Sequence, residues 1–180
     1  SIISLGFDLY KFSESIEEKR EKLRAEINIS SDEVLVTIIG RIVPVKNHWL
    51  FIDVIKYCKS KSTKKIKALI VGDGEIKKDI MKYAGEVGLK ISSNKFDNHS
   101  DVLFTSWRSD IDHILAASEI GCLTSINEGT PVSIIESMAS GTAAISTDVG
   151  GVADIIDDNI SGIDCKNDLK KFGDKLLMLV

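Results

Sequence analysis

A length of 180 residues fits one domain, and 43% hydrophobic with 28% charged residues is the balance of an ordinary globular protein. A net charge of -4 argues against a nucleic-acid partner, because phosphate backbones reward clustered Lys and Arg. Any bound anion must therefore be met locally, by a few placed cations or backbone amides, and one basic face leaves room for peripheral membrane contact. Cys58, Cys122 and Cys165 are far apart in sequence with no C-x-x-C pair, which favours buried or idle thiols in a reducing cytosol over disulfides or zinc. No apolar run approaches the ~20 residues of a spanning helix and no signal peptide opens the chain. The opening, Ser1-Ile2-Ile3-Ser4-Leu5-Gly6, reads as mid-chain sequence, so a piece of a longer protein is expected.

In chain order, charged residues from Ser13 to Ile27 predict a helix ahead of the first strand. Val34 to Ile39 is a β-branched run ending at Gly40, the pattern of a strand buried on both faces. Gly40-Arg41-Ile42-Val43-Pro44-Val45-Lys46-Asn47 then places one cation directly after the strand and a second five residues on. A glycine there lets a ligand approach the backbone. Arg offers phosphate oxygens a planar fork and Lys a mobile point charge, so together they could neutralise a diphosphate without a metal. Spacing alone supports equally well two solvated cations beside a turn. A helix is predicted from Trp49 to Lys61, then a strand from Lys67 to Val71 ending at Gly72. Gly72-Asp73-Gly74 is by itself an ordinary turn signal.

A helix from Glu75 to Val87 follows, and the polar stretch Lys90 to Ser100 reads as a loop. Asp101 to Phe104 and Ile120 to Thr124 are shorter strands, with a helix from Ile111 to Ala117 between them. Asp110-Ile111-Asp112 is a pair of the kind that holds a divalent metal, but acidic residues are favoured at a helix start, and capping is the reading adopted. The next stretch, Asn127-Glu128-Gly129-Thr130-Pro131-Val132-Ser133-Ile134-Ile135-Glu136, carries more. Pro131 opens a helix running from Val132 to Ala139 at the favoured first position. The free amides of Gly129, Thr130 and the first turn form an anion site reinforced by the helix dipole. Glu128 and Glu136 are carboxylates suited to sugar and ribose hydroxyls, which donate what an ionised carboxylate accepts. Glu136 lies among Ile134, Ile135 and Met138, where a carboxylate needs a partner. Ala143 to Ser146 is a fifth strand, Gly150-Gly151 a weak turn signal, and Asp168 to Val180 a helix that stops abruptly.

This βαβ alternation predicts a Rossmann-like α/β domain, a parallel sheet with helices on both faces. The residues after the strands, at Gly40, Gly72 and Ser125, then share the carboxyl edge where such sheets bind ligands.

Taken together, these segments resemble the C-terminal domain of the group 1 (family 4) retaining glycosyltransferases, one half of a two-domain GT-B enzyme. Residues 1–12, with Leu5-Gly6-Phe7-Asp8 and Phe12, resemble the linker into that domain, and 13–180 the donor-binding domain, cut short at its last helices. Gly40-Arg41 with Lys46-Asn47 resembles the phosphate-binding Arg and Lys. Gly72-Asp73-Gly74-Glu75 resembles the glycine turn after the next strand. Phe104-Thr105-Ser106-Trp107-Arg108 resembles the segment near the nucleobase. Glu128, Gly129, Pro131, Glu136, Met138, Ala139 and Gly141, then Thr147-Asp148-Val149-Gly150-Gly151, form the most specific part. The resemblance implies that Arg41 and Lys46 grip the diphosphate of a nucleotide sugar, UDP- or GDP-linked, assisted by the Gly129 and Thr130 amides. It implies that Glu128 holds the transferred sugar and Glu136 the ribose, with Gly40, Gly72, Trp107, Arg108 and Pro131 completing the donor site, and no metal or other cofactor. It also implies a missing N-terminal domain that binds a glycan or lipid-linked acceptor and supplies part of the catalytic face, and a cytoplasmic setting at the inner face of the membrane. The isolated chain should then bind donor weakly and transfer little. Three positions depart from the pattern: Ser106 for glycine, Glu119 for aspartate and Leu5 for asparagine. A GT-B sugar-nucleotide epimerase and a non-enzymatic α/β nucleotide-binding module stay open as alternatives. A dinucleotide-binding domain is disfavoured because no G-x-G-x-x-G opens the first crossover.

Overall fold

The computed structural model describes residues 6–158 and 160–180. A short helix α1 (Tyr10–Ser13) and a longer α2 (Ile16–Ile27) precede strand β1 (Glu33–Ile39). A 3₁₀ turn at Pro44–Lys46 leads into α3 (His48–Lys61), β2 (Lys65–Val71) and α4 (Lys77–Glu86). Then come β3 (Ile91–Ser92), β4 (Val102–Phe104), α5 (Ile111–Ala117), β5 (Ile120–Leu123) and α6 (Val132–Ala139). The described chain closes with β6 (Ala143–Thr147), a 3₁₀ turn at Gly150–Val152, β7 (Ile163–Cys165) and α7 (Leu169–Leu179).

The seven strands among the described residues form one parallel sheet in the order β3-β4-β2-β1-β5-β6-β7. Side chains alternate across each strand, so the apolar runs divide between two layers. Val34, Val36, Ile38, Ile66, Ala68 and Ile70 face α3, α4 and α7. Leu35, Leu69, Val71 and Leu103 face α2 and α5. The expected Rossmann-like sheet with helices on both faces is thus what the chain builds, and β2, β1 and β5 at its centre bring the loops after Ile39, Val71 and Leu123 to one edge.

The differences from expectation are local. The helix ahead of β1 starts at Ile16, and Tyr10–Ser13 is a separate turn of helix, because Ser15 takes a left-handed conformation between them. Phe12 is buried and its helix packs on α5 and α6, so this end of the segment read as a linker lies on the domain; Leu5 falls outside the described residues. The stretch Lys90 to Ser100 is mostly irregular, but Ile91–Ser92 adds an edge strand beside β4. Strand β7 has no counterpart in the pattern reading, since three residues with Asp164 in the middle carry no period. Glu119, the departure from aspartate, uses its extra reach inward. Its carboxylate accepts from Arg24 Nη1 at 3.2 Å and from the Leu35 N–H at 2.7 Å, tying α2 to β1 and β5.

Candidate nucleotide-sugar site

At the carboxyl edge the loop after β1 is held by its neighbours on both sides. Gly40 donates to the Val71 carbonyl at 3.0 Å and Ile42 to the Asp73 carbonyl at 2.9 Å, which zips this loop to the one after β2. No side chain fits at Gly72, where a Cβ would lie 2.0 Å from the Gly40 oxygen. On the other side Ile126 donates to the Val45 carbonyl at 2.8 Å, and the Thr124 hydroxyl reaches the carbonyls of Lys46 and Asn47 at 3.1 Å each. The cation-bearing loop is therefore fixed by hydrogen bonds to both flanking strands' loops.

These constraints bring Gly40, Arg41, Lys46, Trp107, Glu128, Thr130, Pro131 and Glu136 around one cleft of about 360 Å³. Lys46 Nζ lies 2.5 Å from Glu128 Oε1, and the Ser125 hydroxyl reaches the same oxygen at 2.5 Å. Arg41 is exposed; its carbonyl accepts from the Val43 N–H at 3.1 Å, and its guanidinium has no hydrogen bond or ion pair among the described residues. Trp107 stands 61% exposed at the rim, an indole face available to a flat partner. Glu136 projects from α6, half-buried; burial pushes its carboxyl above the usual range and the Lys11 charge works the other way. Pro131 is the residue before the helix rather than its first residue, one position earlier than expected, and it lies buried. The first-turn N–H groups of α6 expected to be free are largely engaged, Val132 donating to the Thr130 carbonyl at 2.9 Å and Ile134 and Ile135 to the Pro131 carbonyl at 3.0 and 3.2 Å, while Ser133 lines the cleft, a place the spacing did not indicate.

Other residues lie elsewhere. Arg108 turns away from the cleft: Nε and Nη2 bind the two Asp110 oxygens at 2.9 and 2.5 Å, and Nη1 binds Glu26 at 2.7 Å. Those carboxylates hold its proton still more firmly than usual. Gly72 sits beneath Gly40 and sets the loop height without lining the cleft. Asp110 occupies the position before α5, but its carboxylate serves Arg108 instead of capping a helix N–H, and Asp112 pairs with Lys19 at 2.9 Å. Ser106 donates to Asp73 at 2.9 Å; with Lys77 and the Gly74 N–H, this holds the Asp73 carboxyl below its usual range.

Two features take a definite role in the site only from the structure. Ser125 carries no motif, yet it is fully buried against Glu128. Gly150 and Gly151 lie directly under the Glu128-Gly129 backbone: Gly151 donates to the Glu128 carbonyl at 3.3 Å, and a Cβ on Gly150 would fall 1.8 Å from that oxygen. A second concavity, about 450 Å³, lies at the opposite end of the sheet. Its charges are largely matched internally, as in Lys59–Asp101 at 2.6 Å and Lys67–Glu33 at 3.8 Å, and no cation there is set against a helix start.

The fold and the sequence both have counterparts among known proteins. The C-terminal domain of a glycosyl transferase group 1 family protein (LpcC) from Francisella tularensis superposes with a TM-score of 0.77 at 23% identity, covering 97% of this chain and 87% of that one. Anabaena Alr3699/HepE, solved in complex with UDP and glucose, gives 0.83 at 21% identity over 99% of this chain and 46% of its own. In sequence, the chain is 29% identical over 176 residues to the Escherichia coli UDP-Gal:alpha-D-GlcNAc-diphosphoundecaprenol alpha-1,3-galactosyltransferase, spanning 96% of this chain and 43% of that protein. It thus spans less than half the length of that relative. Residues 19–177 match the family model for glycosyl transferases group 1, and with nearly the whole chain covered, the protein belongs to that family.

Proposed function

We propose that this chain is the donor-binding half of a retaining glycosyltransferase that moves a sugar from a nucleoside diphosphate to a glycan or lipid-linked acceptor. The observation that carries the reading is the convergence of two cations and two carboxylates, Arg41, Lys46, Glu128 and Glu136, on one cleft at the carboxyl edge. Arg41, Lys46 and the amides around Gly129 and Thr130 hold the diphosphate. Charge develops on that group as the glycosidic bond to it breaks, so fixed donors there stabilise the transition state without requiring a metal. Glu128 accepts from hydroxyls of the sugar and Glu136 from the ribose, while Trp107 lies alongside the base. Arg108, placed in the donor site by resemblance, acts instead as a brace between α2 and α5. The acceptor wall comes from an N-terminal domain, and the name of the diphosphoundecaprenol galactosyltransferase relative supports a lipid-linked acceptor; a setting at the cytoplasmic face of a membrane is part of the proposal.

Calorimetric titration with UDP, GDP and ADP tests this directly. One nucleotide should bind in preference, and a folded sample that binds none of the three would overturn the site. Arg41→Ala should weaken the nucleoside diphosphate by about tenfold or more, since hydrogen bonds to charged groups contribute roughly 1.5–3 kcal/mol. It should hardly affect the nucleoside itself. Glu136→Ala should weaken the monophosphate by a comparable factor through the ribose, and unchanged monophosphate binding would remove Glu136 from its role. Sugar transfer by the chain alone should be slight, and robust transfer would contradict the division of labour between two domains.

A further inference from the structure

The Lys46 and Ser125 contacts to Glu128 converge on one oxygen, Oε1, and no hydrogen bond among the described residues reaches Oε2. The two partners differ in what they can do next. Lys46 is a long, part-exposed cation whose ammonium a diphosphate can draw away. Ser125 is fully buried just past β5, and its own carbonyl accepts from the Thr147 hydroxyl at 2.6 Å. Thr147, also fully buried, ends β6, whose register with β5 sets Leu123 beside Ser146 and so brings the two strand ends together. The serine hydroxyl is thereby attached to the sheet itself.

We infer that Ser125 is a positioning residue for the sugar subsite: it holds Glu128 Oε1 when Lys46 turns to the diphosphate, and so presents Oε2 to a sugar hydroxyl. This rests on the sugar role proposed above for Glu128. Without the serine, a carboxylate released by Lys46 is free to rotate, and the hydroxyl meets a mobile acceptor. The ordering cost then falls on the sugar contact alone, since the diphosphate cations sit on a different loop.

The experiment is calorimetry on the 180-residue chain with UDP, UDP-glucose and UDP-galactose, reading the ratio of UDP-sugar to UDP affinity. Ser125→Ala should keep UDP affinity within about twofold and lower the ratio about tenfold, the scale of one hydrogen bond to a charged group. Ser125→Thr, which keeps the hydroxyl but adds a methyl to a buried site, should recover the ratio; a packing fault alone would worsen it. Glu128→Gln should lower the ratio as Ser125→Ala does. If Ser125→Ala preserves a ratio that Glu128→Gln destroys, the serine does not position the carboxylate and the inference is overturned. If Glu128→Gln also leaves the ratio unchanged, or neither sugar improves on UDP, the sugar role of Glu128 fails first and takes the inference with it.

Discussion

Gly150→Ala is expected to leave a folded chain that has lost most of its donor affinity. Gly150 has φ +53°, in the left-handed region, and its missing Cβ would fall 1.8 Å from the Glu128 oxygen. A real Cβ does not approach backbone that closely, so the Glu128-Gly129 segment must rise by more than 1 Å. A displacement of that order takes the Glu128 carboxylate and the Gly129 amide out of hydrogen-bonding range of a donor held by the neighbouring loops. The fold should lose roughly 2–4 kcal/mol from strain and overpacking together. Gly141→Ala separates the two causes, because Gly141 also has positive φ, +70°, but open space around its Cβ. It should show only the conformational cost, about 1 kcal/mol, with donor binding intact. Thermal melts and UDP-sugar titrations on both variants measure this; equal effects would mean the Glu128 contact is unimportant.

That contrast also shows what could be read in advance. The strands read over 34–39, 120–124 and 143–146 lie within one residue of Glu33–Ile39, Ile120–Leu123 and Ala143–Thr147 because buried parallel strands are continuous β-branched or apolar runs, and the helices at Ile111–Ala117 and Val132–Ala139 match their patterns to the residue. Arg41, Lys46, Glu128 and Glu136 were legible because their spacing placed them just past strand ends. Ser125 was legible only as an edge residue and Gly150 only through the resemblance; their contacts with Glu128 run across β5 and β6, and strand order is invisible to local pattern. Arg108 misleads for a related reason: Glu26, which holds it, lies 82 residues away.

His48 should dominate the loss of stability in mild acid. It is the first residue of α3, fully buried, and neither ring nitrogen has a hydrogen-bond partner. Burial, with a smaller contribution from the Lys46 charge, lowers its pKa from 6.5 to about 4. The unfolded chain therefore takes up a proton that the folded chain refuses. Stability is fully present above pH 6.5 and falls as pH drops toward 4, by about 1.4 kcal/mol per unit and about 3 kcal/mol in all. Asp73, Asp97, Asp110, Asp112 and Asp174, whose carboxyls are held below the usual range, give way only in stronger acid, near and below 3.8. Glu136, pushed upward, has the opposite sign. His48→Leu removes two unsatisfied buried nitrogens and should flatten the profile between pH 6.5 and 4.5, with stability at pH 7 equal or higher. Urea unfolding at four pH values decides it, and an unchanged acid limb in the leucine variant would assign the loss elsewhere.

The charges lining the cleft bear finally on kinetics. Arg41 and Lys46 balance Glu128 and Glu136, so a cleft proposed to grip a dianion has little net field to project beyond a Debye length. The chain as a whole is negative, which adds nothing to attract an anion. Capture should therefore proceed without electrostatic steering and vary little with ionic strength. Discrimination among nucleotides then resides in how long each stays, because the cations act only once the phosphate is within hydrogen-bonding distance.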